Sequence, residues 1–94
     1  MTFAEFKDST KSSTPPASID PLLKALWFDA KGNWEEAHNV AQDIHSKNGS
    51  WIHAYLHRKE GDLGNASYWY SRAEKSVPKK SLEEEWEDIS KALL

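Results

Sequence analysis

The sequence predicts an all-α fold: two antiparallel helical hairpins, tetratricopeptide-like in spacing, followed by a C-terminal capping helix. Three observations carry the prediction. Two segments match at an offset of 29 residues, Ala25 to Ala37 on Ala54 to Ala66, with Gly32 on Gly61, Asn33 on Asp62 and Ala37 on Ala66. Self-similarity at such a period marks helix-turn-helix units, each with a face it cannot bury alone. Helix start and stop signals recur along the chain, and no segment shows the alternation of a strand. The five tryptophans, Trp27, Trp34, Trp51, Trp69 and Trp86, fall one to each of the five main helices. Each can bury ~150–250 Å² of surface.

Thr2 with Glu5 forms a potential capping box for a short N-terminal helix that carries Phe3 and Phe6. Residues 8–18 are polar and contain Pro15 and Pro16, as a linker does. The chain therefore divides into an N-terminal segment and linker, 1–18, and a helical repeat-like domain, 19–94. The next helix starts with Asp20 as N-cap and Pro21 at the first helical position, and stops at Gly32. Leu22, Leu23, Ala25, Leu26, Trp27, Phe28 and Ala30 surround its axis, so it needs cover on more than one side. That cover is either Phe3 and Phe6 folding back across the linker or a second copy of the chain.

Asn33 and Glu36 open the following helix as a capping box, and it runs to about His45. Ser46-Lys47-Asn48-Gly49 has the chemistry of a turn. A third helix of the repeat region spans about Trp51 to Glu60 and ends at Gly61. A fourth runs from its N-cap Asp62 to about Ser76, ahead of Pro78. The last begins at Ser81, boxed by Glu84, and puts Leu82, Trp86, Ile89 and Leu93 on one face. Trp86 is expected against the third or fourth of these helices, closing the repeat core.

Ninety-four residues make one small domain, and the absence of cysteine excludes disulfides and thiolate metal sites. A net charge of −3, with Lys79-Lys80 followed after Ser81-Leu82 by Glu83-Glu84-Glu85, argues against a nucleic-acid partner. No apolar run approaches the ~20 residues of a membrane span. The first six residues lack the basic and apolar regions of a signal peptide, which makes a cytoplasmic location the expectation.

The unit from Gly61 to Pro78 resembles the second half of a tetratricopeptide repeat. Gly61, Asp62, Ala66, Tyr70, Ala73 and Pro78 stand in the motif's register, with Ala54 as the small residue on the preceding helix. Gly32, Ala25 and Ala37 repeat part of the pattern, without a closing proline. The run from His53 to Asp62 also looks like the signature of a small bacterial family, a likeness that implies no activity. Under the tetratricopeptide resemblance, Trp51, Tyr55, Arg58 and Lys59 fall where groove-lining residues contact a bound peptide. Aromatics beside arginine are also what binding hot spots favour. The alternative places Trp51 and Tyr55 against the first repeat helix, with Arg58 paired to an acid such as Asp29.

His53, His57 and Glu60, at i, i+4 and i+7, share another face of the same helix. Two histidines four apart can share a metal, and a carboxylate can add a ligand. The resemblance implies instead that both histidines are buried and hydrogen-bonded, so neither a metal nor another cofactor is expected. His38 and His45 fall on the outer side of their helix with no evident partner. The run Glu83 to Asp88 reads as a solvated face, its acids favourably placed at a helix N-terminus. There is no phosphate loop, nucleophile elbow or catalytic triad. The expected function is a non-catalytic module that binds a protein, a peptide or a second copy of itself. The alternative is a small enzyme or a ligand- or metal-binding protein that uses His53, His57, Arg58 and Glu60.

Overall fold

The computed structural model describes residues 1–94 and contains helices and no strands. In order they are α1 (Phe3–Ser9), α2 (Pro21–Ala30), α3 (Trp34–Gln42), α4 (Lys47–Glu60), α5 (Leu63–Arg72) and α6 (Leu82–Leu93). Every helix starts on a side chain that accepts a first-turn N–H: Thr2, Asp20, Asn33, Ser46, Asp62 and Ser81. Each such cap stabilises its helix by ~1 kcal/mol. Thr2–Glu5 and Ser81–Glu84 close as reciprocal boxes. Asn33–Glu36 does not, because the Asn33 N–H already donates to the Phe28 carbonyl at 2.9 Å.

That bond belongs to the turn between α2 and α3. Gly32 (φ 81°) and Gly61 (φ 92°) both adopt the left-handed conformation that glycine enters without strain. At each, the following residue donates back across the turn, Asn33 to Phe28 and Asp62 to His57, which satisfies a terminal carbonyl of the helix. The tight turns make α2–α3 and α4–α5 antiparallel hairpins, and α3 packs on α4 to join them.

Three helix boundaries differ from those the sequence suggests. α3 ends at Gln42 rather than His45, and α4 begins at Lys47 rather than Trp51. Ser46 is not a turn residue but the cap of α4, accepting from the Gly49 N–H at 3.0 Å. Gly49 lies inside the first turn because a Cβ there would collide with the Ile44 carbonyl oxygen. α5 stops at Arg72, short of Ser76, because Glu74 takes φ 59° and the Lys75 N–H bonds back to the Tyr70 carbonyl. This is the same turn chemistry as at Gly32 and Gly61, without a glycine.

α2 is covered on several sides, as its all-round apolar character requires. It packs on α3, α4 and α6. The N-terminal segment folds back to the same core: Phe6 is fully buried and stacks on Trp86, ring centroids 5.6 Å apart. Phe3 meets Trp86 edge-on at 6.1 Å, and the Trp27 Nε1–H donates to the Ser9 carbonyl at 3.1 Å. Trp86 is buried and shares one core cluster with Ile52, Tyr55 and Leu56 of α4. Its indole N–H donates to the Leu26 carbonyl at 3.0 Å, so it seals α1 and α2. The α6 residue that hydrogen-bonds to both α4 and α5 is Glu85, from the acidic run expected to face water, and it is buried.

No helix is long and apolar enough to cross a membrane.

Candidate metal centre

α4 is the helix most enclosed by others, and its faces meet different neighbours. Along one, Tyr55 donates its hydroxyl to Asp29 at 2.7 Å, and the Lys59 ammonium reaches the other Asp29 oxygen at 2.8 Å. Arg58 bridges to Glu85 at 2.8 Å and to the Lys80 carbonyl. The Trp51 indole N–H donates to Glu85 at 3.1 Å, and the Tyr70 hydroxyl lies 2.6 Å from the same carboxylate. Trp51, Tyr55, Arg58 and Lys59 all have their polar atoms engaged, and Tyr55 and Lys59 border an open cleft of about 310 Å³ beside Asp29 and Trp86. The four bind two buried carboxylates, and the partner of Asp29 is Lys59 rather than Arg58. Burial first, and then the adjacent carboxylates, push the Tyr55 and Tyr70 hydroxyls well above the ordinary phenol range. No fully buried side-chain nitrogen or oxygen lacks a partner.

The histidine face is built differently. His53 and His57, one turn apart on α4, are both buried, with ring centroids 4.7 Å apart. His38 of α3, expected to point outward alone, turns in to meet them. Its Nε2 lies 3.0 Å from the Nε2 of His53. The reason is the α2–α3 hairpin. Trp34, four residues before His38, anchors its indole N–H on the Leu56 carbonyl at 2.7 Å and stacks flat on His38 at 4.8 Å. On the other side, Trp69 of α5 stacks on His53 at 4.1 Å. Two tryptophans from opposite hairpins thus bracket the imidazoles.

The ligating atoms of His38, His53 and His57 all lie within 4.8 Å of one another. Glu60 contributes as an orienting group: its carboxylate is 2.7 Å from His57 Nδ1, which leaves Nε2 of that ring for a ligand. Arg58, named with His53, His57 and Glu60 as a ligand-binding set, lies apart on the Glu85 side. Burial first, and then the neighbouring His38 and His57, lower the proton affinity of His53 to a pKa of about 4. His38 is lowered by burial and by His57. Both rings are therefore neutral at pH 7, the form in which imidazole binds a metal.

Sequence reasoning found two of the three histidines. The signal for the third was the spacing of His38 from Trp34, since residues four apart share a helix face and Trp34 matches an apolar position of the other unit. His45, by contrast, stays exposed.

An all-helical protein with three convergent imidazoles, one of them held by a carboxylate, is the class that fold and site define. No family model, curated protein or solved structure matches the chain.

Proposed function

We propose that the chain is a metal-binding helical protein in which His38, His53 and His57 hold one late first-row divalent ion. The convergence of three imidazoles within 4.8 Å carries this reading. A tetrahedral zinc ion at ~2.0–2.1 Å from each nitrogen needs its donors roughly 3.3 Å apart, and modest ring tilts close the difference. Glu60 behind His57 supplies the carboxylate that ligating histidines commonly carry, fixing the ring and raising its basicity. Three nitrogen donors without sulfur suit zinc, and leave a fourth position for water or a ligand.

The interaction-module reading rests on Trp51, Tyr55, Arg58 and Lys59, whose polar atoms are engaged by Asp29 and Glu85. The balance of support therefore moves to the histidines. A tetratricopeptide-like scaffold is compatible with it, supported by the equivalent turns at Gly32 and Gly61.

Cobalt(II), a spectroscopic stand-in for zinc, tests the assignment. The expected result is one ion per chain with an intense visible band of four-coordinate cobalt, displaced by zinc. At a hundredfold excess over Kd, zinc should stabilise the fold by about 2.7 kcal/mol. His38→Ala, a half-buried position, should abolish the band and keep the helical circular dichroism. His45→Ala should change neither. Binding that survives His38→Ala, or a weak octahedral cobalt spectrum, would overturn the reading.

A further inference from the structure

Behind His53, on the side away from His57, lies a cleft of about 330 Å³ between the end of α3, the start of α4 and α5. Its size is at the low end of ligand pockets, which run about 300–1,000 Å³. His45, Lys47, Ser50, His53, Trp69 and Arg72 are among its walls, and none of its lining residues is acidic. In a chain of net charge −3 with fifteen acids, that is a local reversal of sign.

Three features of the cleft ask for an anion. The Arg72 guanidinium makes no ion pair or hydrogen bond within the protein and lies 6.0 Å from the Trp69 ring. Lys47, on the opposite rim, pairs with Glu74, which is not part of the lining. Ser50, 8% exposed, lines this cleft, and its hydroxyl makes no hydrogen bond within the protein. What exposure the residue keeps leaves its hydroxyl free to bond to whatever enters the cleft. The first turn of α4 borders the same space, and the positive end of its dipole favours negative charge.

We infer that this cleft binds a small organic phosphomonoester, its phosphate held by Arg72, Ser50 and the start of α4. Donors that approach from separate elements match the several oxygens of a phosphate better than the two of a carboxylate. The Trp69 indole forms the wall for the organic part, where an apolar or aromatic group gains most. The site is independent of metal binding, although His53 is a wall common to both.

Phenyl phosphate is the probe, titrated by calorimetry into protein stripped of metal with chelator, so that failure of the metal reading leaves this test intact. Saturable one-to-one binding is expected, with amide shifts confined to residues 45–53 and 69–72. Benzyl alcohol, which lacks the phosphate, should not bind. Arg72→Ala, at an exposed position that does not threaten folding, should weaken binding about tenfold or more, the effect of losing a hydrogen bond to a charged group. Ser50→Ala should weaken it several-fold, and Lys11→Ala should leave it unchanged. The inference is overturned if no saturable binding occurs at roughly 10 mM probe. It is equally overturned if Arg72→Ala and Ser50→Ala leave the affinity intact.

Discussion

Replacing Glu85 by alanine should be among the most damaging single changes in this protein. The carboxylate is 1% exposed and accepts from Tyr70 at 2.6 Å, Arg58 at 2.8 Å and Trp51 at 3.1 Å. Alanine leaves the Arg58 guanidinium without its counter-charge, and the buried Tyr70 hydroxyl without an acceptor. Removing one partner of a buried pair typically costs ~3–5 kcal/mol. A domain of this size has a total stability of ~5–14 kcal/mol, so a third or more of it disappears in the middle of that range. At ~4–8 °C per kcal/mol, the melting temperature should fall by at least about 12 °C. Urea unfolding followed by far-ultraviolet circular dichroism gives the free energy, and a double-mutant cycle with Tyr70→Phe isolates the pair. The cycle should show a coupling of ~0.5–3 kcal/mol. A loss below about 1 kcal/mol, or strict additivity in the cycle, would refute the assignment of Glu85 as the tie between α6 and the second hairpin.

Trp86→Ala removes the ring that stacks on Phe6 and caps the Leu26 carbonyl, and should cost ~3–5 kcal/mol in the same urea assay. An unchanged midpoint would show that α1 and α6 do not share a core. Gly32→Ala and Gly61→Ala should each destabilise by about 1 kcal/mol from backbone strain alone, since a Cβ at either position meets no neighbour. Native-like stability in both variants would contradict the left-handed turns. Tyr55 and Tyr70 stay protonated in the fold to well above the ordinary phenol pKa. In the unfolded chain they lose protons near pH 10, so above that pH the folded state binds more protons and stability falls as pH rises. Below pH 10 the contribution is fully present. Phenolate absorbance should show both tyrosines ionising only as the helices melt, and ionisation ahead of unfolding would contradict their burial.

Local signals announced the helices because caps and turn glycines act within four residues of themselves. Asp20, Asn33, Asp62, Gly32 and Gly61 could be recognised without knowing what they pack against. Ser46 to Gly49 misled because asparagine and glycine usually mark turns, while here glycine is needed for close approach to Ile44. The metal candidate was half legible for a similar reason. His53, His57 and Glu60 lie on one helix at fixed spacing, whereas the direction of His38 depends on how α3 leans on α4. Glu85 was hidden in a run of acids. Its only mark was position, three residues after Leu82 and four before Ile89, on the apolar face of α6.

The stacking of Phe6 on Trp86 bears on how a chain of this kind is made. The Leu26 carbonyl waits for an indole 60 residues later in the sequence. At roughly 5–20 residues per second, a ribosome delivers Trp86 several seconds after Leu26. Collapse of a short chain takes microseconds, so the apolar surface of α2 meets α3 and α4 as each emerges, and meets α6 only later. During that interval the nascent chain displays Leu26, Trp27 and Phe6 without their final cover.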